Sequence, residues 1–157
     1  MTAPLKIAKG RKKSGPFARI EDAIDAMEWG LKVGGLKALQ ARADANAKVL
    51  GDWVARTDWI DFLAKDPATR SNTSVCLSIV DPAVTALDAD GQAAFAKAIV
   101  SRLDKAGAAY DIGAYKDAPS GLRIWAGSTV EAASLEALLP WLDWAFAAEK
   151  AALKAAA

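Results

Sequence analysis

The chain has 157 residues, the size of a single domain, and 53% of them are hydrophobic, which is enough to build a substantial core. It contains no histidine, which excludes histidine-based catalytic triads, histidine general bases and most zinc sites, and we see no carboxylate spacing typical of a metal site. Its net charge is only +1, and no apolar run approaches the roughly 20 residues that a membrane span needs, so we expect neither nucleic acid nor a membrane as its partner.

The first 19 residues are predicted to form a basic flexible arm or the remnant of a linker. Six basic residues precede the first acid, Glu21, and prolines and glycines interrupt any regular period. Such an arm could contact nucleic acid or act as a transit peptide. Basic and aromatic residues do not interleave here, however, and a solvated tail is the simpler interpretation.

Two helices are predicted after this arm. Four apolar residues recur at helical spacing between positions 20 and 31, and Gly34 and Gly35 then break the pattern. A second amphipathic helix follows and extends to Val54. Residues 59–63 form a short apolar piece, and Asp66 with the proline after it marks a turn.

Three strands and one helix are predicted in the middle of the chain. Apolar residues alternate with small polar ones at 75–79, and two further strands are predicted at 109–112 and 122–126. Asp88 is suited to cap a helix that carries Phe95, Ile99 and Leu103 on one face and ends at Gly107. The single cysteine, Cys76, falls in the first strand as a small buried side chain, and a chain with one cysteine fits a reducing cytoplasm.

A last helix is predicted to begin at a capping box formed by Ser128 and Glu131, and its alanine- and lysine-rich tail after Glu149 is expected to fray. Its apolar stripe consists of Leu135, Leu138, Leu139, Leu142 and Phe146. The order of these elements predicts an α+β fold, with a small mixed or antiparallel sheet of three or four strands and helices packed on one face.

Arg123 is the most informative candidate site residue. It lies inside an apolar strand, and side chains alternate along a strand, so Arg123 and Trp125 should point away from the face that carries Leu122 and Ile124. A guanidinium held in this way could bind a carboxylate through two parallel hydrogen bonds. Alternatively, Arg123 is a strand arginine that reaches solvent or pairs with a nearby aspartate.

Six segments carry a wider pattern: residues 33–39, 41–46, 66–77, 110–125, 127–131 and 140–144. Their order and spacing between position 20 and about position 148 resemble the C-terminal small domain of phosphoserine aminotransferase, in its alpha-proteobacterial version. This family belongs to the class V aminotransferases that depend on pyridoxal phosphate (PLP). The resemblance implies the small-domain fold of fold-type-I PLP transaminases for residues 20–157.

The resemblance also implies a function and its site residues. Family members exchange amino groups between phosphoserine or 3-phosphohydroxypyruvate and glutamate or 2-oxoglutarate in serine biosynthesis, and they are cytoplasmic dimers. Arg123 matches the arginine that holds the substrate carboxylate. Tyr115 and Lys116 stand where relatives carry a basic residue, usually arginine, that helps bind the substrate phosphate or distal carboxylate. A lysine there keeps the positive charge but loses the planar fork.

The cofactor half of the family has no counterpart in this sequence. The lysine that holds PLP and the aspartate that pairs with its ring nitrogen lie upstream in relatives, and residues 13–17 lack the family's Asn-Thr-Pro segment. We therefore expect no catalytic residue here and no stable PLP binding by this chain alone. The partner would be another copy of the chain or a separate large cofactor domain. The alternative is a non-catalytic interaction or dimerisation module.

Overall fold

The computed structural model describes residues 16–156 of the chain, with side chains from 20 to 155. Its elements in order are α1 (Pro16–Lys32), α2 (Gly35–Val54), β1 (Ile60–Phe62), a 3-10 turn (Pro67–Thr69), β2 (Ser74–Ile79), α3 (Pro82–Thr85), α4 (Ala89–Lys105), β3 (Leu122–Trp125) and α5 (Ala132–Ala156). Residues 1–15 of the predicted arm lie outside the described residues, whereas residues 16–19 already belong to α1.

The chain divides into two compact units after Leu39. In the N-terminal unit, α1 ends at Lys32 because Gly34 and Gly35 adopt φ angles of 115° and 70°, which other residues rarely accept. The predicted helix break is therefore confirmed. Along α1 the apolar residues have the predicted spacing, but Met27 is 62% and Leu31 is 74% exposed, so this stripe is not part of a core.

The second unit, residues 40–157, contains an antiparallel sheet with strand order β1-β2-β3. Cys76 pairs with Arg123 and Leu77 pairs with Leu122, while Ile60 of β1 pairs with Ile79. The predicted strands near 75–79 and 122–126 are confirmed, and the apolar piece at 59–63 contributes the edge strand β1.

One hydrophobic core covers a single face of this sheet, as the sequence predicted. The strands contribute Ile60, Val75, Leu77, Leu122 and Ile124, and the helices α2, α4 and α5 add Leu50, Trp53, Phe95, Ile99, Leu103, Leu135, Leu139, Leu142 and Phe146. The predicted stripes of α4 and α5 are therefore confirmed, with Leu138 packed at the edge of the core. Asp88 caps α4, and Gly107 follows its end in a left-handed conformation, as expected.

Two buried tryptophans of the core, Trp53 and Trp59, donate to the same carboxylate, that of Asp143. The indole N–H of Trp59 donates to Asp143 over 3.0 Å, and that of Trp53 donates to the same carboxylate over 3.3 Å. The Trp59 ring also stacks on Phe146 with centroids 4.3 Å apart. These rings have the core role that their apolar surface predicts. By contrast, Trp141 and Trp144 remain about half exposed on α5.

The predicted strand at 109–112 is wrong. Asp111 has a φ of 53°, a left-handed conformation that interrupts an extended run. The backbone of the segment is joined to β3 by the hydrogen bond from the Arg123 N–H to the Ile112 carbonyl (2.8 Å) and by an isolated bridge between Gly113 and Leu122. It is a loop that runs beside β3 without becoming a strand.

Two predictions about α5 are also wrong, and distant partners explain both. The helix begins at Ala132, so Ser128 and Glu131 do not form a capping box. Instead, Arg42 of α2 binds the Ser128 carbonyl (2.7 Å) and the Glu131 carboxylate (2.6 Å). The tail after Glu149 stays helical to Ala156. Lys150 anchors it by binding Asp81 over 2.6 Å.

The Asp81–Lys150 pair predicts how stability depends on pH. Burial alone would raise the pKa of Asp81, but hydrogen bonds from Lys150 and from the Ala83 N–H outweigh it and lower the pKa. A folded-state pKa below the unfolded value of about 3.9 gives stability that is present above pH ~4 and is lost as pH falls through the folded pKa.

We therefore expect Asp81→Asn to lower the free energy of unfolding near pH 6.5 by about 1–3 kcal/mol, and by much less below pH ~3.5. Urea unfolding at both pH values measures the difference. Asp104→Asn is the control, because it removes the same charge from an exposed position of α4 that forms no ion pair with described residues. An equal loss at both pH values would contradict the assignment.

Candidate functional site

The outer face of the sheet, opposite the core, carries the polar side chains of the strands. Because neighbouring side chains alternate and paired residues share a face, Cys76 lies beside Arg123 on this surface, and Ser74 lies beside Trp125. Asp61 of β1 is on the same face. A hydrogen bond from Lys65 (2.7 Å) holds the pKa of Asp61 below its ordinary value, so this carboxylate is ionised at neutral pH.

Arg123 has the orientation predicted from the sequence. Its neighbours Leu122 and Ile124 are buried in the core, whereas its own side chain is 35% exposed. Its Nη2 lies 3.5 Å from Oδ2 of Asp111, longer than the usual 2.7–2.9 Å of a charge-assisted hydrogen bond. Its Nε is buried and has no hydrogen-bond partner among the described residues. The guanidinium is therefore poorly paired.

Trp125 lies on the same face, two residues further along β3. Its side chain is 58% exposed. Its ring lies against Gly127, since a Cβ at Gly127 would be 2.5 Å from Cζ2 of the indole. The glycine thus allows the ring to lie against the backbone near Arg123. Alternation in the sequence placed Trp125 on this face, but only the structure reveals its contact with Gly127.

Tyr115 and Lys116 lie in the connection between the Gly113 bridge and β3. Both are exposed, in a turn that the hydrogen bond from Ala118 N–H to the Tyr115 carbonyl closes (2.9 Å). Lys116 forms no ion pair with a described carboxylate. Its charge is therefore not neutralised by a salt bridge within the described residues.

Arg70 and Cys76 lie at the β1 side of the sheet. The Arg70 guanidinium packs 4.0 Å from the Phe62 ring centroid and donates to the Ala64 and Lys65 carbonyls. Cys76 is only partly buried, on the outer face instead of in the core. Together with Ser71, these residues border a cavity of about 270 Å³ at the β1 side of the sheet. Arg70 stabilises this loop and has no free fork for a ligand.

Neither a metal site nor a membrane span is found between residues 16 and 156. No group of three or more cysteine, aspartate or glutamate side chains in this range could hold a metal ion. None of the helices in the same range is both long and apolar enough to cross a membrane.

Comparison with known sequences finds no matching family model but clear relatives. The chain is 42% identical over 126 residues to phosphoserine aminotransferase of Methanosarcina barkeri, and 41% identical over the same length to that of Methanosarcina mazei. Each match includes 80% of this chain but only 31% of the relative. The chain thus spans about a third of the length of the curated relatives it matches.

Solved structures similar to this chain are also phosphoserine aminotransferases. Phosphoserine aminotransferase from Bacillus circulans subsp. alkalophilus superimposes with a TM-score of 0.68 at 17% identity, over 87% of this chain and 34% of that one. A second phosphoserine aminotransferase structure, from a study of radiation damage to its Schiff base, gives 0.67 at 14% identity. At sequence identities this low, the two superpositions support the fold alone. They confirm the predicted α+β class. The resemblance to phosphoserine aminotransferase that the sequence predicted is confirmed over a region about one third the length of those enzymes.

Proposed function

We propose that this chain is the small-domain part of a phosphoserine aminotransferase, the part that binds and orients the substrate. The observation that carries the proposal is the state of Arg123. In a chain 42% identical to such an enzyme, Arg123 lies on the open face of the sheet with little of its hydrogen-bonding capacity used. An arginine in that state is suited to binding a planar carboxylate.

The surrounding residues suggest how the substrate would be oriented. Arg123 would hold the carboxylate of phosphoserine or glutamate, and the exposed ring of Trp125 would form an apolar wall beside it. Lys116, with Tyr115 next to it in the same turn, would attract the phosphate as a point charge. These residues bind and position the substrate, and none of them performs the chemical step.

PLP supplies the electron sink for amino-group transfer when it is bound to a transaminase. Three of the described lysines are already bound to a carboxylate: Lys48 to Asp52, Lys65 to Asp61 and Lys150 to Asp81. By the family resemblance, the lysine that holds PLP and the aspartate that pairs with its ring nitrogen both lie upstream of the region that this chain matches. We therefore assign the cofactor lysine to the cofactor-binding part of such an enzyme.

Reconstitution tests this proposal. The full chain is mixed with M. barkeri phosphoserine aminotransferase from which the matching region has been deleted, and glutamate formation from phosphoserine and 2-oxoglutarate is measured with PLP present. We expect turnover only from the mixture. Arg123→Ala should reduce it by roughly 100-fold or more, because it removes a charged hydrogen-bonding partner of the substrate.

The matched control is Arg56→Ala, since Arg56 is exposed and the one hydrogen bond of its guanidinium to a described residue goes to the Asp52 carbonyl near the end of α2. This variant should retain full activity in the mixture. Lys116→Ala should raise the KM for phosphoserine more than the KM for glutamate. Turnover by the chain alone, or equal activity of Arg123→Ala and wild type, would contradict the proposal.

A second candidate function is a non-catalytic dimerisation module. The observation that favours it is the apolar surface of the N-terminal unit, where Met27, Leu31 and Leu36 are exposed around a cavity of about 470 Å³. A contiguous surface of this kind usually binds a partner, here a second copy of the chain. No turnover in the reconstitution, together with concentration-dependent self-association in sedimentation that Leu31→Glu abolishes, would favour the module over the enzyme part.

A further inference from the structure

The chain places a carboxylate of its own next to the arginine that we assign to the substrate. Asp111 is the one described residue other than glycine with a positive φ, at 53°. The backbone contacts of the two residues that follow it, Ile112 with Arg123 and Gly113 with Leu122, hold this loop against β3. Its side chain is 94% exposed and meets Arg123 at 3.5 Å. The loop therefore sets Asp111 beside the guanidinium while leaving it accessible from solvent.

The position of this contact on the guanidinium matters. A carboxylate binds arginine through two adjacent N–H groups, either Nη1 and Nη2 at the end of the fork or Nε and Nη2 along its side. Nη2 has one N–H for each arrangement, and Nη2 is the atom that faces Asp111. The arrangement through Nε is closed while Nε is buried. In the arrangement at the end of the fork, a ligand carboxylate would meet the like charge of Asp111 at Nη2.

The other end of the guanidinium shows a related feature. Nε of Arg123 has no described hydrogen-bond partner and almost no contact with solvent. A buried donor without an acceptor is costly. This orientation is therefore not the one in which Arg123 satisfies its donors best, and its contact with Asp111 is the one ion pair that holds it among the described residues.

We infer that Asp111 is an internal counter-ion of Arg123 that a ligand carboxylate displaces. Asp111 occupies Nη2 and keeps the guanidinium turned so that Nε is covered. An incoming carboxylate takes Nη2, releases Asp111 to solvent and lets the guanidinium turn to present two donors. The long distance and the exposure of Asp111 keep the displacement easy. The identity of the ligand in this inference rests on the proposed function. The contact by which Asp111 holds Arg123 does not depend on that function.

The test uses the full ¹⁵N-labelled chain and the NMR signal of the Arg123 Nε–Hε group, assigned by its loss in Arg123→Lys. Asp111→Asn retains the shape of the side chain and its tolerance of the left-handed conformation. We expect this variant to bind L-phosphoserine and L-glutamate about two- to five-fold more tightly than wild type, as expected for loss of a weak exposed ion pair. Exchange of the Nε hydrogen with water should also become faster, because the guanidinium is free to turn.

Asp104→Asn is the matched control, because it makes the same charge change on α4 and should alter neither measurement. Unchanged affinity and unchanged exchange in Asp111→Asn, while wild type binds both ligands through Arg123, would overturn the inference and leave the proposed function standing. Faster exchange in Asp111→Asn with no ligand binding to either protein would support the hold of Asp111 on Arg123 and count against the proposed function.

Discussion

Replacing Gly121 with alanine is expected to lower the free energy of unfolding by about 3 kcal/mol or more, through overpacking that rigid neighbours cannot relieve. Gly121 is buried immediately before β3, and a Cβ there would overlap the carbonyl oxygen of Leu77 and lie 3.2 Å from its carbonyl carbon. These are backbone atoms of β2, which is paired on both sides within the sheet. The alternative to unfolding is a displacement of β3, which would move Arg123.

Urea unfolding followed by tryptophan fluorescence measures this effect. Gly51→Ala is the matched control, because Gly51 lies within α2 and its nearest neighbour to a new Cβ is the tip of the Phe62 ring, 3.9 Å away. Alanine should stabilise that helical position by up to about 1 kcal/mol. If both variants unfolded at the same urea concentration as wild type, the close approach of Gly121 to β2 would be refuted.

The parts of the fold that the sequence predicted well are those determined by neighbouring residues. The glycine break after α1, the stripe of α4 with its Asp88 cap, and the alternation in β2 and β3 all depend on local spacing, and all are present. The α+β class followed from the order of these elements. With three residues, β1 is too short to show an alternation of apolar and polar side chains. It is recognised as a strand only by its pairing with β2.

The failures share a different cause, which is contact between residues far apart in the chain. Ser128 and Glu131 match a capping box, but Arg42, more than 80 residues away, binds both of them. The tail of α5 has a composition typical of fraying, yet Lys150 reaches Asp81 across 69 residues. Local patterns describe what a segment prefers by itself, and such partners decide between its options.

The candidate site shows the same division. Alternation placed Arg123 and Trp125 on the outer face, and pairing with a nearby aspartate was already one alternative. The aspartate that pairs with Arg123 is Asp111, and it does so through Nη2 because its backbone is left-handed. No spacing rule reveals that conformation. Lys116 was predicted from the family resemblance, and the exposed turn that carries it adds no contact of its own. Its role therefore stays a prediction.

Asn46→Ala is expected to cost about 3 kcal/mol of stability and to loosen the segment that follows β3. Asn46 is 2% exposed, and its Nδ2 lies within hydrogen-bond distance of the carbonyls of Ala126 (3.1 Å), Gly127 (3.1 Å) and Val130 (2.9 Å). Alanine would leave buried acceptors without a donor, at about 1–3 kcal/mol for each one that water cannot reach. The same segment supports the ring of Trp125 through Gly127.

Urea unfolding and the NMR signal of the Trp125 indole N–H test the two halves of this expectation. The matched control is Asn72→Ala, which removes an equal amide whose partner, Asp44, is exposed; it should cost less than about 0.5 kcal/mol. Gly121 limits the chain just before β3 and Asn46 fixes the segment just after it, so together they set the position of the guanidinium between them. Because the turn after β3 also carries the wall beside Arg123, we expect Asn46→Ala to broaden the Trp125 signal even at urea concentrations where the fold persists. A sharp, unshifted indole signal in a destabilised variant would show instead that Asn46 supports the core without supporting the site.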